Sequence, residues 1–324
     1  MINSKKTLLS LAMATALVGS FNVQADDGFQ LSEKLAVTGF IDMSFSNVDT
    51  DGSDSSSTSG LDQFELDFLY TFDDKLSAQV DIEYQDGAAD EVDLEQAFIS
   101  YAVTDSVTVK AGRFLSYSGW ETEEPTGLFQ FSGTGYAPIF YGYYQQGVSV
   151  MYSGDGYALA ASAITDLDNP EERDSEQVAT EFMAAIMPTD EITVKGFYLS
   201  DKIDGTDEDK EKINVWASYA SGPLTLAAEI NEAENSYALG TESDGYLLMA
   251  NYAFDKFGLT VRYHEWEVED SASGATVEEM NGITIAPSFS LSDNLLVVVE
   301  YRMDENEVTG VDTDTFSVEA LVTF

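Results

Sequence analysis

Thr313-Asp-Thr-Phe-Ser-Val-Glu-Ala-Leu-Val-Thr-Phe324 is the stretch that decides how the chain is read. Counted back in twos, Phe324, Val322, Ala320, Val318 and Phe316 fall on one side. Thr323, Leu321, Glu319 and Ser317 fall on the other. Apolar residues at every second position fit a strand with one greasy face; at 3.6 residues per turn they would scatter around a helix. A strand of this kind at the end of a soluble sheet is an exposed edge, an aggregation risk unless it is paired or covered. Closing a barrel with it removes the edge. The rest of the sequence can be tested against that idea.

At the other end, Lys5 and Lys6 precede an apolar run from Leu8 to Val18, and Val23-Gln-Ala25 reads as a small-residue cleavage site. This is the pattern of a secretory signal peptide over 1–25, too short for a membrane-spanning helix. Residues 26–34 then read as a periplasmic segment and 35–324 as one barrel domain. No proline-rich linker or change of composition divides it. The formal net charge is −45, and export would remove two lysines and no acid. Such a chain lacks the basic patches that nucleic acid requires. Cysteine is absent, so there is no disulfide framework. Seventeen tyrosines, nineteen phenylalanines and 24 glycines favour strands and turns over helices.

About sixteen strand-like segments follow, most near the nine to eleven residues that a tilted strand needs to cross a membrane. They are 35–47, 61–72, 76–85, 92–103, 107–116, 140–152, 156–164, 176–187, 192–199, 211–221, 224–231, 244–254, 258–267, 278–290, 294–303 and 313–324. Every second connection is very short and rich in Asp, Gly, Ser and Pro, as at Asp73-Asp-Lys75, Gly222-Pro223 and Ser292-Asp293. The connections between are longer and polar, the longest being 117–139. Short turns on one rim and longer loops on the other belong to an up-and-down outer-membrane barrel. Phe64, Leu66, Phe68, Tyr70 and Phe72 alternate with Gln63, Glu65, Asp67 and Thr71; the next strand alternates Leu76, Val80 and Ile82 with Gln79, Asp81 and Glu83. A soluble sandwich gives the same period of two. The signal peptide, strand lengths and loop asymmetry decide for the barrel, apolar outside and polar inside.

A barrel of about sixteen strands encloses an aqueous channel, whereas eight strands would be filled by side chains. Acidic wall positions such as Glu65, Asp67, Asp81, Glu83 and Glu300 suit a wet lumen. The expected role is passive diffusion of small hydrophilic solutes. The 117–139 loop mixes Trp120, Phe129 and Phe131 with Glu121, Glu123 and Glu124. Folded into the lumen, it would bury the rings on the wall and leave the acids facing the pore; an outward loop packed on its neighbours is the alternative. Lys110, Lys195 and Arg262 lie four or five residues into outward-running strands, roughly 10 Å above the periplasmic rim. Alternation turns them inward. Arg302 is inward too, nearer the outer rim, while strict alternation would face Arg113 to lipid, at a cost of about 2–4 kcal/mol at mid-bilayer. A bulge at Gly112 is therefore expected to turn Arg113 inward. These cations either face the loop acids across a narrow eyelet or neutralise adjacent wall acids such as Glu300.

Val92-Asp-Leu-Glu-Gln-Ala-Phe-Ile-Ser-Tyr101 followed by Val107-Thr-Val-Lys-Ala-Gly-Arg-Phe-Leu-Ser116, with Gly119-Trp-Glu121 and Pro125 beyond, resembles a signature of Gram-negative outer-membrane porins, above all the OmpL-like putative β-barrel porins. The resemblance implies that Lys110 and Arg113 are wall residues near the constriction and that Phe324 is the assembly signal for the outer-membrane barrel machinery. It also implies a homotrimer in contact with outer-membrane lipid and lipopolysaccharide. General porins carry more wall arginines than this chain. That tilts the expectation toward a weakly selective, cation-preferring pore.

Other classes fit less well. The single histidine, His264, has no Gly-x-Ser-x-Gly elbow to serve, so catalysis is not expected. The acidic loops Asp49–Asp54 and Asp204–Asp209 lack the full calcium-loop pattern, and neither a metal site nor a cofactor is expected; weak divalent bridging to lipopolysaccharide stays open. A substrate-specific channel, in which Trp216 and Phe197 make a sugar slide or merely fill the wall, and a non-conducting structural or adhesive barrel share every pattern above.

Overall fold

A computed structural model of the protein describes residues 29–88, 91–121, 124–167, 169, 171 and 178–324. The signal segment 1–25 and Glu123 lie outside the described residues. Sixteen antiparallel strands close into a barrel. They are β1 (Leu35–Thr50), β2 (Ser56–Thr71), β3 (Leu76–Gln85), β4 (Val92–Thr104), β5 (Val107–Leu115), β6 (Tyr144–Gly154), β7 (Tyr157–Ile164), β8 (Ala179–Thr189), β9 (Ile192–Lys202), β10 (Asp209–Ser221), β11 (Leu224–Glu234), β12 (Thr241–Phe254), β13 (Phe257–Asp270), β14 (Ala275–Ser292), β15 (Leu295–Asn306) and β16 (Val311–Thr323). Each pairs with its neighbours in sequence, and β16 closes on β1 with Phe316 opposite Asn47 and Thr323 opposite Phe40. Phe29 and Gln30 add a short pairing beside Val37 and Ala36.

The last strand behaves as its alternation predicts, with the faces inverted relative to a soluble sheet. Ser317, Glu319, Leu321 and Thr323 are buried inside, while Phe316 is exposed on the outer face. The outer surface carries an apolar belt that includes Val148, Val150, Leu226, Val261 and Ile285. Near the short turns, Tyr70 packs on Phe72 and Phe254 on Phe257, the aromatic girdle of one membrane interface. The backbone N–H of Phe324 donates to the Gly39 carbonyl, and Gly39 returns a bond to Phe324, so the final residue completes the closing seam. A side chain at Gly39 would run into the Glu65 carbonyl and the Phe324 ring.

Two boundary expectations change. The polar segments expected as outer loops are in large part strand: β1 and β2 run through most of 48–60, and β14 spans 18 residues. Their Ser, Thr and Glu side chains suit water, and nothing at the membrane surface obliges a ladder of backbone hydrogen bonds to stop there. The sixth strand, expected from 140, begins instead at Tyr144, and Phe140 ends a short helix, Ala137–Phe140, with Pro138 in its first turn where a missing N–H costs nothing. The third loop therefore runs over 116–143.

The bulge expected at Gly112 is absent. β5 keeps its register through this point, with Gly112 opposite Phe98 and Gly147, and Arg113 opposite Ala97 and Gln146. Lys110 and the fully buried Phe114 face inward, so Arg113 stays on the outer face. Its guanidinium donates to the Leu94 carbonyl at 2.8 Å and pairs with Glu171 at 3.3 Å. Those partners, unseen in the local sequence, hold the charge without a bulge. The unusual backbone of Gly112 (φ +132°) serves close approach instead, since a Cβ there would strike the backbone of Ala97 and Phe98. Bulges do occur elsewhere: β2 carries an extra residue at Asp62 opposite the Asp42–Met43 step, and β4 one at Glu95 opposite the Asp81–Ile82 step.

Candidate functional site

The third loop leaves β5 at Ser116, whose N–H bonds the Tyr143 carbonyl at 3.0 Å and closes the loop at its base. From there it folds into the barrel. A loop without a ladder carries many polar backbone groups that need partners once buried. The wall supplies them. Carboxylates and an amide take the loop N–H groups: Tyr117 donates to Glu181 (2.9 Å), Gly119 to Asn214 (3.1 Å), Trp120 to Glu229 (2.9 Å) and Ser132 to Glu300 (3.1 Å). Wall donors take the loop carbonyls: Thr260 reaches Phe129 O at 2.8 Å, Arg302 reaches Thr134 O at 3.0 Å, and Lys212 reaches Pro138 O and Tyr141 O at 3.1 and 2.8 Å.

The loop's apolar side chains fill the space between it and the wall. Trp120 stacks on Phe129 with ring centroids 6.1 Å apart and meets Trp216 edge-on at 5.3 Å. Tyr136 and Phe140 are fully buried. Trp216 and Phe197 are buried beneath this layer, so they fill the wall. His264 is likewise a packed side chain, fully buried, 3.6 Å from Asp304.

The charges sort differently from the expected eyelet. Glu121 does not face a basic cluster across a gap; it lies on it. Arg262 binds the Glu121 carboxylate and the Ser132 carbonyl directly, and Glu121 also accepts from Thr134 N–H (2.7 Å) and Gln130 (2.9 Å). Arg302 is held by Gly133 O, Thr134 O and, at 2.6 Å, Asp304. Glu300 is committed to the Ser132 N–H. The arginines therefore anchor the loop. Lys110 and Lys195 do reach the inner side. Lys110 sits 4.8–5.3 Å from the Phe98, Phe114 and Tyr117 rings, and Lys195 sits 4.8 Å from Trp216.

Among the described residues the other loop acid, Glu124, goes to the wall of β2, β4 and β6. It accepts from Tyr144 Oη at 2.5 Å and lies with Glu65 and Glu95, carboxylate oxygens within 4.8 Å of one another. Asp67 and Asp81 adjoin through Glu65. Neutral donors serve this face: Thr38 donates to Asp67 at 2.8 Å, and Gln79 and Gln96 donate to Asp81 at 2.8 and 2.6 Å. Glu83 is buried on the same strand. The structure thus brings together the wall acids picked from the sequence, except Glu300, which belongs to the loop anchor. Lys212, Asn214, Glu229, Glu181 and Glu95 were missed. The first four sit at ordinary inward positions whose value depends on what the loop brings to them. Glu95 is inward only because of the β4 bulge.

The model of one family, Gram-negative porin, matches residues 9–309. No curated protein matches the chain in sequence. Among solved structures, the anion-selective porin from Comamonas acidovorans superposes with a TM-score of 0.69 at 14% identity, covering 90% of this chain and 99% of that one. OmpF of Salmonella typhi, solved with daunomycin, gives 0.68 at 16% identity, covering 90% and 97%. The trimer form of OmpT from Vibrio cholerae gives 0.65 at 15% identity, covering 90% and 100%.

Proposed function

Since this chain belongs to the Gram-negative porin family and forms a channel in the bacterial outer membrane, we propose that it passes small hydrophilic solutes and ions by diffusion with a weak preference for cations. The observation that carries the preference is the division of charge inside the barrel. Arg262, Arg302 and Lys212 are taken up by loop carbonyls and by acids beside them. Asp67 and Asp81, on β2 and β3, have neutral donors. A ring or wall of carboxylates favours cations in a water-filled constriction. In this reading Trp120, Glu121, Glu123 and Glu124 belong to the constriction loop, with Lys110 and Lys195 tempering the wall acids.

The testing experiment is single-channel conductance of the refolded, exported chain in a planar bilayer, with the reversal potential read across a salt gradient. Open steps with a cation-side reversal support the reading. A folded barrel without conductance would leave the structural barrel in its place, and a reversal on the anion side would remove the preference. One solved neighbour is a trimer form. We extend that state to this chain, with lipopolysaccharide around the apolar belt and the barrel assembly machinery reading Phe324. Native mass spectrometry from mild detergent reads the oligomer directly.

A further inference from the structure

We propose that Glu65, Glu95 and Glu124, with Asp67 and Asp81 beside them, form a binding site for a hard divalent cation, Ca2+, that ties the third loop to the wall of β2, β3 and β4.

Two triads of carboxylate oxygens share Glu65: one with Glu95 and Glu124, one with Asp67 and Asp81, each within 4.8 Å. Crowding of acids alone says little, because a solvated acidic face is common. Here three of the five are almost wholly covered. Asp81 is 1% exposed, Glu65 4% and Glu95 5%. Each keeps a buried carboxylate oxygen that no hydrogen-bond donor reaches among the described residues: Asp81 Oδ1, Glu65 Oε2 and Glu95 Oε2. Asp81 is the most telling. Gln79 and Gln96 both donate to its Oδ2, which fixes the carboxylate and leaves Oδ1 without a donor. A buried anion without a partner is costly, and a cation is the partner that several converging carboxylates call for.

The donor set names the class of ion. Every candidate ligand is a carboxylate oxygen, which selects a hard cation and not zinc or copper. Ca2+ takes six to eight oxygens in flexible geometry, whereas Mg2+ demands near-ideal octahedral geometry and keeps several waters, so a set of carboxylates gathered from three strands and a loop suits the larger ion. The strand geometry is specific too. The β4 bulge places Glu95 inward beside Gln96, so the site receives a ligand and an orienting amide from consecutive residues. Glu124 comes from the loop, so a bound ion would bridge loop and wall. The two ends of one loop segment would then be held by different chemistry: Glu121 by Arg262, Glu124 by the ion.

The test uses the refolded exported chain in detergent, stripped with chelator. Ca2+ binding is followed by calorimetry, and Tb3+ serves as a luminescent substitute. Tyr144, hydrogen-bonded to Glu124, is placed to sensitise Tb3+. Saturable binding of about one Ca2+ per chain, with Kd at or below about 1 mM, is expected. Glu65→Gln or Asp81→Asn should weaken it at least about tenfold, because ligand charge sets affinity. Tyr144→Phe should cut sensitised emission severalfold while Ca2+ still competes with Tb3+, which places the ion even where an acid variant fails to fold. Replacing the acids of Asp204–Asp209 should change nothing. Absence of saturable binding to the native chain, unchanged binding in folded Glu65→Gln and Asp81→Asn, unchanged emission in Tyr144→Phe, or loss of binding with the Asp204–Asp209 variant would each overturn the proposal. So would a clear preference for Mg2+.

Discussion

Glu121 and Arg262 are 141 residues apart in the chain and form an ion pair sealed from solvent, the guanidinium 0% and the carboxylate side chain 5% exposed. The pair joins the third loop to strand β13. Its surroundings complete it: Thr134 and Gln130 donate to the same carboxylate, and Thr284 Oγ1 accepts from Arg262 at 2.8 Å.

Removing one partner should release the loop. Arg262→Ala leaves the Glu121 carboxylate buried without its counter-charge, a loss of about 3–5 kcal/mol in loop docking. The barrel's ladder does not involve this contact, so the barrel should survive. Limited proteolysis should show new cleavage within 116–143, and unit conductance should rise as the lumen clears. A loop as protected as in the native chain would mean that the backbone bonds to Glu229 and Asn214 suffice.

Lys110 offers a test of the wall charge. Its ammonium lies among three aromatic rings, a contact of about 0.5–2 kcal/mol. Lys110→Met keeps the length and apolar stem while removing one positive charge from the acid-rich inner wall. Thermal stability should fall by no more than that contact, and the reversal potential should move toward stronger cation preference. A reversal potential that does not move would show that Lys110 is outside the ion path.

The seam depends on the last residue. Phe324 exchanges two backbone hydrogen bonds of 3.0 Å with Gly39. Each is worth about 0.5–1.5 kcal/mol, and deleting Phe324 also strips its ring from the seam. The truncated chain should unfold at lower temperature on heat-modifiability gels. Gly39→Val should do the same, because its side chain would meet the Glu65 carbonyl. Equal stability of both variants to the native chain would contradict the seam.

Asp73 makes a pH-dependent turn between β2 and β3. Its Oδ1 accepts from the N–H groups of Lys75 (2.9 Å) and Leu76 (3.1 Å), and these bonds hold its carboxyl below the ordinary range. A lowered folded value means that the ionised form favours the fold. Its contribution is complete above the unfolded value of about 3.9 and is lost as pH falls through the folded one. Asp73→Ala should therefore lower stability at neutral pH, and the difference from the native chain should shrink below about pH 4. A difference independent of pH would point to the turn's backbone instead.

Much of this was legible in order along the chain. The period of two, the Asp-Gly-Ser turns at Asp73-Asp-Lys75 and Gly222-Pro223, and the inward parity of Lys110, Lys195, Arg262 and Arg302 are properties of neighbouring residues. So is the aromatic mixture of the third loop, which marked it for burial. Arg113 was misread because its solution lies in Leu94 and Glu171. A lone charge on a lipid-facing parity invites a bulge, and nothing local announces a rescuing partner 58 residues away.

The sequence by itself determined the closed barrel and its direction of burial and singled out the loop with rings to bury, because strand period, turn chemistry and aromatic placement act over a few residues. Only the tertiary structure decided which charges meet. Whether Glu121 faces a pore or covers Arg262, and whether Glu95 joins Glu65 and Glu124, depends on strand register, on one extra residue in β4 and on where the loop comes to rest. Those depend on closing the ring, which brings distant residues within bonding distance and sets each charge by its neighbours in space.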